Sequence, residues 1–209
     1  MTKKSTLSVF LAGLLVFLSV LPGCLSRSYV EKHTYMLDVS RDGEVAPPEN
    51  GIVLRVRKLR ISPQYEGTGF VYRTGDLSYQ SDFYNEFFTS PDSMITEEVL
   101  AWLAKSGLFQ HVVDYTDQME STYVVEGTIT DLYGDYSRGT QAKGVMAVEL
   151  FFIEDVAGRS RILLQKRYRR EIPLKGDSPE ALVEGWNKAL QHILRQFESD
   201  LRETLSHKS

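Results

Sequence analysis

Residues 123–172 read YVVEGTITDLYGDYSRGTQAKGVMAVELFFIEDVAGRSRILLQKRYRREI. Three stretches within them, 123–133, 145–154 and 161–172, are rich in β-branched, aromatic and other apolar residues. Between them lie two turn-rich joints, 134–144 and 155–160, carrying Gly, Asp and Ser. Long runs of this kind with such joints predict three consecutive strands folded as an antiparallel meander. Downstream, Ser178-Pro179 opens a helix, because the hydroxyl suits the cap and proline suits the first helical position. Leu182, Trp186, Ala189, Leu190, Ile193, Phe197 and Leu201 then recur at helical spacing and mark one buried face. The tail from Arg202 to Ser209 is polar and is expected to fray.

Upstream of the meander the punctuation is equally clear. Ser90 and Pro91 open a second helix and Gly107 supplies a left-handed stop. Ile95, Val99, Trp102 and Leu103 make its apolar stripe. Residues 51–61, GIVLRVRKLRI, alternate in the manner of a strand, and 108–115, LFQHVVDY, read as another. FVYRTG and LSYQS form a short strand pair around Thr74-Gly75-Asp76, and residues 40–50, SRDGEVAPPEN, read as a polar linker. Each amphipathic helix must bury one face. Covering one side of a sheet is the economical solution, so the fold class is α+β, a two-layer sandwich of a mostly antiparallel sheet covered on one face by two amphipathic helices.

The N-terminus has a different chemistry. Lys3 and Lys4 precede an apolar run from Leu7 to Val20, short for a membrane span, which needs about 20 apolar residues. The run ends in Leu21-Pro22-Gly23-Cys24, which holds the only cysteine of the chain and resembles the lipobox of bacterial lipoproteins. In a lipobox the cut falls between Gly23 and Cys24, and Cys24 is acylated. An ordinary secretory signal with an incidental cysteine is the alternative. The expected organisation is a signal peptide at 1–23, a lipidated tether at 24–34 and one α+β domain at 35–205. Removing 1–23 leaves 186 residues, enough for one core, and moves the formal charge from −4 to −6 because the segment carries two lysines and no acid. A mildly acidic domain gives no electrostatic reason to bind nucleic acid. Acylation would bind the chain to a membrane surface, since each buried methylene contributes about 0.8 kcal/mol.

Enzyme signatures are absent from the sequence. His33, His111, His192 and His207 are scattered without metal-ligand spacing, and there is no G-x-S-x-G elbow. GTGFVYRTG, 67–75, lacks the third glycine of a dinucleotide fingerprint and the lysine of a P-loop. Glu97 and Glu98 are expected near the N-terminal turn of a helix, where solvation and the macrodipole would account for them. The reading is therefore no catalytic residue, no metal and no cofactor. Three features are candidates for partner binding: the C-terminal helix, whose stripe reads first as packing on the sheet and otherwise as a dock for a partner, a basic strand and an aromatic run. Lys166, Arg167, Arg169 and Arg170 lie on a predicted strand, with Lys166 and Arg170 on the face opposite to Arg167 and Arg169. They read either as a solvated edge strand or as a contact for lipid headgroups or an acidic partner. Tyr79, Phe83, Tyr84, Phe87 and Phe88 either fill a core or form an exposed patch for a partner.

Tyr35-Met36-Leu37, Val71-Tyr72-Arg73, the aromatic approach from Tyr79 to Phe88, Trp102 and Gly107-Leu108-Phe109, in that order, resemble the ABC-type transport auxiliary lipoprotein family. With the lipobox and the closing helix, the likeness in layout spans most of the mature chain. It implies an accessory role in an MCE-type transport system, which moves lipids or other hydrophobic molecules across the Gram-negative envelope. The partners it implies are an MCE-domain protein with its ABC permease and ATPase, and it allows a homo-oligomer. Leu25 after the cysteine, where an aspartate would favour the inner membrane, points by the same resemblance to the periplasm-facing outer membrane. The rival reading is a free-standing periplasmic lipoprotein that itself binds a lipid or a cell-wall ligand.

Overall fold

The computed structural model describes residues 31–208 except 44, 138, 140 and 157. In chain order the strands are β1 (His33–Tyr35), β2 (Val53–Val56), β3 (Arg60–Ile61), β4 (Gly69–Arg73), β5 (Tyr79–Phe87), β6 (His111–Val113), β7 (Tyr123–Asp135), β8 (Lys143–Val156) and β9 (Arg159–Pro173). A 3-10 turn spans Pro63–Tyr65, and two helices, α1 (Pro91–Ala104) and α2 (Pro179–Ser206), complete the described elements.

The meander forms as its sequence predicts: β7 pairs antiparallel with β8 and β8 with β9 along almost their whole lengths. The other edge of β7 is shared. β2, β3 and β4 lie along it one after another, each parallel to it, at Tyr123–Val125, Thr128–Ile129 and Gly134–Asp135. The expected single strand at 51–61 is thus two pieces on one track, bridged where the Arg57 N–H donates to the Val125 carbonyl at 2.8 Å. β5 joins β4 antiparallel, β1 joins β5 parallel, and β6 joins β2 parallel. The long ladders are antiparallel, and short parallel strands extend them. Residues 108–115 contribute a strand only at His111–Val113, because Leu108 and Phe109 are buried in the core beforehand.

Both helices lie on one face of the sheet, α2 over β8 and β9, α1 over β2, β3 and β6. Every apolar residue on which the α2 face was predicted is fully buried, as are Ile95, Val99, Trp102 and Leu103 of α1. Ser178 caps α2 by accepting from the Ala181 N–H at 3.2 Å. Ser90 stands at the α1 cap position, but its hydroxyl donates to the Ser93 hydroxyl at 2.9 Å instead of capping a backbone N–H. Gly107 follows α1 at φ +69°, the left-handed geometry that glycine adopts without strain.

Two expectations are corrected. Residues 40–50 are no free linker. The extended chain from Tyr35 runs as a strap beside α2. The Tyr35 hydroxyl donates to Glu180 at 2.8 Å and the Asp38 N–H to Asn187 at 3.1 Å. Gln191 donates to the Ser40 carbonyl at 2.9 Å, and Arg195 to Asp42 at 2.8 Å. The strap buries Leu37 and crosses to α1, where the Val39 N–H donates to Glu98 at 3.2 Å. Its clamp is Arg41 on Glu198, with contacts of 3.0 and 2.9 Å. Trp102 Nε1 at 2.9 Å and Arg202 at 3.1 Å also donate to the same carboxylate. Burial opposes the Glu198 charge, yet these donors outweigh it and hold its pKa below the usual carboxylate range. The tail is not frayed either. α2 continues to Ser206, Leu201 is buried, Leu205 packs on the core and Lys208 pairs with Glu154. The apolar stripe continues to Leu205, which is why helix persists there.

Candidate docking groove

A groove of about 500 Å³ is cut into the face of the sheet away from the helices. Gln64 and Tyr65 of the 3-10 turn form one wall, Val71, Tyr79, Gln80 and Ser81 of the β4–β5 hairpin form the other, and Asp131 of β7 closes it. The walls are braced by rings. Tyr133 stacks on Tyr65 at 6.3 Å between centroids and meets Tyr79 edge-on at 5.7 Å. Burial, helped by the nearby Asp131 charge, pushes the Tyr65 phenol up to about 12, so it remains a neutral hydrogen-bonding group.

Asp131 joins two candidates that the sequence keeps apart. Arg167 donates to it at 2.6 Å and Arg169 at 3.0 Å, while Arg169 also reaches the Tyr133 hydroxyl at 3.2 Å and Glu171 at 3.0 Å. Burial works against the Arg169 charge, and the hydrogen bonds to Tyr133 and Glu171 more than offset it and raise its pKa. These arginines therefore hold the rim of the groove in place instead of presenting bare positive charge. Lys166 and Arg170 are not part of it. They point to the helix side, where Lys166 pairs with Asp200 at 2.7 Å and Arg170 donates to Gln196. Between them Tyr168 is fully buried and donates to Asp200 at 2.6 Å. Since β9 pairs with β8 alone, this is a charged edge strand.

The aromatic run divides three ways. Phe87 is core, 4.8 Å from Phe70 and 5.3 Å from Trp186 between ring centroids. Tyr79 lines the groove. Phe83 and Tyr84 on β5, and Phe88 just after it, are exposed, at 68%, 43% and 68%. Gly23 and Cys24 lie outside the described residues. Among the described residues no group of three or more His, Cys, Asp or Glu could hold a metal ion, and no helix is long and apolar enough to cross a membrane.

Sequence reasoning missed Tyr65, Gln64, Val71, Gln80, Ser81 and Asp131. Pro63 was a signal for the turn that lifts Tyr65 over the sheet. Asp131, next to a register shift in β7, interrupts an apolar strand with a charge. Neither signal says what would oppose it across the sheet.

Two solved structures share this architecture. A crystal structure of an uncharacterized protein is 17% identical, with a TM-score of 0.65 over 82% of this chain and 99% of its own. Protein XCC0632 from Xanthomonas campestris is 14% identical, with a TM-score of 0.72 over 84% of this chain and 98% of its own. At such identity the likeness is one of fold, an α+β sandwich in which two helices back one sheet. No curated protein matches the sequence. A family model does: that of the ABC-type transport auxiliary lipoprotein component matches residues 35–197, and the chain belongs to that family.

Proposed function

We propose that this protein is a non-catalytic, lipid-anchored docking component of an MCE-type ABC transport system. Acyl chains on Cys24, exposed by cleavage after Gly23, hold the segment before β1 as a tether at the periplasm-facing outer membrane; His33 and Thr34, expected in that tether, are paired in the sheet instead. The folded domain beyond them receives an MCE-domain subunit of the transporter. Family membership over residues 35–197 carries this reading. The groove supports it by its chemistry. Aromatic walls, two side-chain amides, a serine and a braced carboxylate suit an extended segment of a partner protein, with apolar side chains against Tyr65 and Tyr79 and backbone amides against Gln64, Gln80 and Ser81.

The test is affinity capture of the acylated protein from native membranes. Recovery of MCE-domain subunits is expected; their absence under conditions that retain the acylated protein refutes the reading. Tyr79→Ala removes the exposed wall at the loss of one edge contact to Tyr133, and should reduce recovery about tenfold or more if the ring anchors the partner. Arg167→Gln is a cleaner probe of the rim than charge reversal, which would set a carboxylate against Asp131.

A further inference from the structure

The outer edge of β5 is built to hold aromatic rings out of the domain. Gly69 of β4 stands opposite Glu86 but Val71 stands opposite Ser81, so residues 82–85 are looped out of the ladder. Asp82 fixes this loop with all of its acceptor capacity. Its Oδ1 accepts the backbone N–H groups of Tyr84 at 2.7 Å and Asn85 at 3.1 Å, and its Oδ2 accepts the Tyr72 hydroxyl and Asn85 Nδ2, each at 2.8 Å. Burial opposes the Asp82 charge, and these donors outweigh it and lower its pKa. What this arrangement supports is solvent-facing: Phe83 and Tyr84, packed edge to face at 5.3 Å, with Lys32, which also pairs with Glu86 at 3.2 Å, lying 4.6 Å above the Phe83 ring. Beyond the Lys32–Glu86 pair, Phe88 and Met36 are also exposed, where the Phe88 N–H donates to the Tyr35 carbonyl.

We propose that this edge, Phe83, Tyr84, Phe88 and Met36 with Lys32, docks into the surface of the phospholipid bilayer. The inference rests on the lipid-anchor reading of Cys24. β1, the strand nearest that cysteine in the chain, forms the sheet edge against β5. Nine residue steps separate Cys24 from His33, so they can be at most about 30 Å apart. A domain of this size is about 40 Å across. The tether is shorter than the domain is wide, which keeps the β1–β5 edge near the bilayer. Exposed Phe and Tyr rings with a lysine are the chemistry of the lipid–water interface, the rings at the acyl boundary and the ammonium among the headgroups. The mature chain carries a formal charge of −6 by sequence, so attraction to anionic lipid does not supply the contact. Ring insertion does, and it should persist in high salt.

The test uses the acylated full chain in phosphatidylethanolamine–phosphatidylglycerol vesicles. Acylation consumes Cys24, so Phe83→Cys provides a single thiol for an environment-sensitive fluorophore, and Glu203→Cys on α2 provides an exposed control. The fluorophore at 83 should shift to the blue and lose roughly half its emission to nitroxide-labelled lipid, with little change between low and high salt, while the control stays unquenched. An unquenched fluorophore at 83 on protein whose mass shows acylated Cys24 overturns the docking edge alone. Shielding at 83 that requires added MCE-domain protein, or that comes with excimer emission between pyrene labels on two copies, also overturns it. Failure of the anchor reading shows separately, as an unmodified thiol in the intact mass of protein from its native host.

Discussion

Glu198→Gln tests the clamp that holds the strap. The substitution keeps the side chain's volume and removes its charge, and one acceptor oxygen becomes an NH2 group facing Arg41 or Arg202 as a second donor. The Glu198 carboxylate is 11% exposed and receives four donor contacts, two of them from an Arg41 side chain that is itself 11% exposed. Removing one partner of a buried pair costs about 3–5 kcal/mol. Arg202 is 57% exposed and opens the site to water, which argues for the low end, about 3 kcal/mol. For a domain of this size that lowers Tm by about 6–12 °C. Thermal unfolding followed by circular dichroism and tryptophan fluorescence measures it. The pH dependence has a defined sign. Glu198 has a lowered folded pKa, so its stabilisation is complete above the unfolded value of about 4.3 and is lost as pH falls through the folded one. The Tm gap between wild type and variant should therefore be full at neutral pH and narrow below about pH 4. A neutral-pH shift under about 2 °C, or a gap that does not narrow in acid, refutes the clamp.

Three further substitutions probe other joints of the structure. Gly127→Ala would place a methyl group 2.3 Å from the Glu149 carbonyl oxygen, so the β7–β8 ladder must shift, and insoluble protein or a Tm loss above about 5 °C is expected in a solubility and melting assay. Tyr168→Phe removes the 2.6 Å bond to Asp200 but leaves Lys166 to hold that carboxylate, so denaturant titration should show a loss of about 1 kcal/mol with m unchanged. Asp82→Asn leaves too few acceptors for its four donors. Faster hydrogen exchange at the Tyr84 and Asn85 amides, with exchange in β7 unaltered, is the expected result.

Local chemistry in the sequence determined the meander, both helices, their caps by position and the single-sided cover. Period-2 and period-3.6 patterns are written in neighbouring residues, and burying the apolar faces they create leaves few arrangements. Pattern alone could not reveal that β2, β3 and β4 share one edge of β7. Parallel pairing joins residues 62 to 69 positions apart and leaves no turn signal between them.

The polar segments were hardest to read. SRDGEVAPPEN has linker composition, yet Arg41 meets Glu198 only because α2 brings that carboxylate beneath it. Arg167 and Arg169 read as a basic strand until Asp131, which the β7–β8–β9 ladders place within reach, pairs with both and Glu171 pairs with Arg169. The aromatic run was visible, but which rings were core could not be known, because the loop at residues 82–85 breaks the alternation that would have sorted them. The sequence by itself determined which faces had to be buried. Only the tertiary structure decided which charges cancel and which rings stay in water, since those depend on partners that meet through space, and the chain records no distance between them.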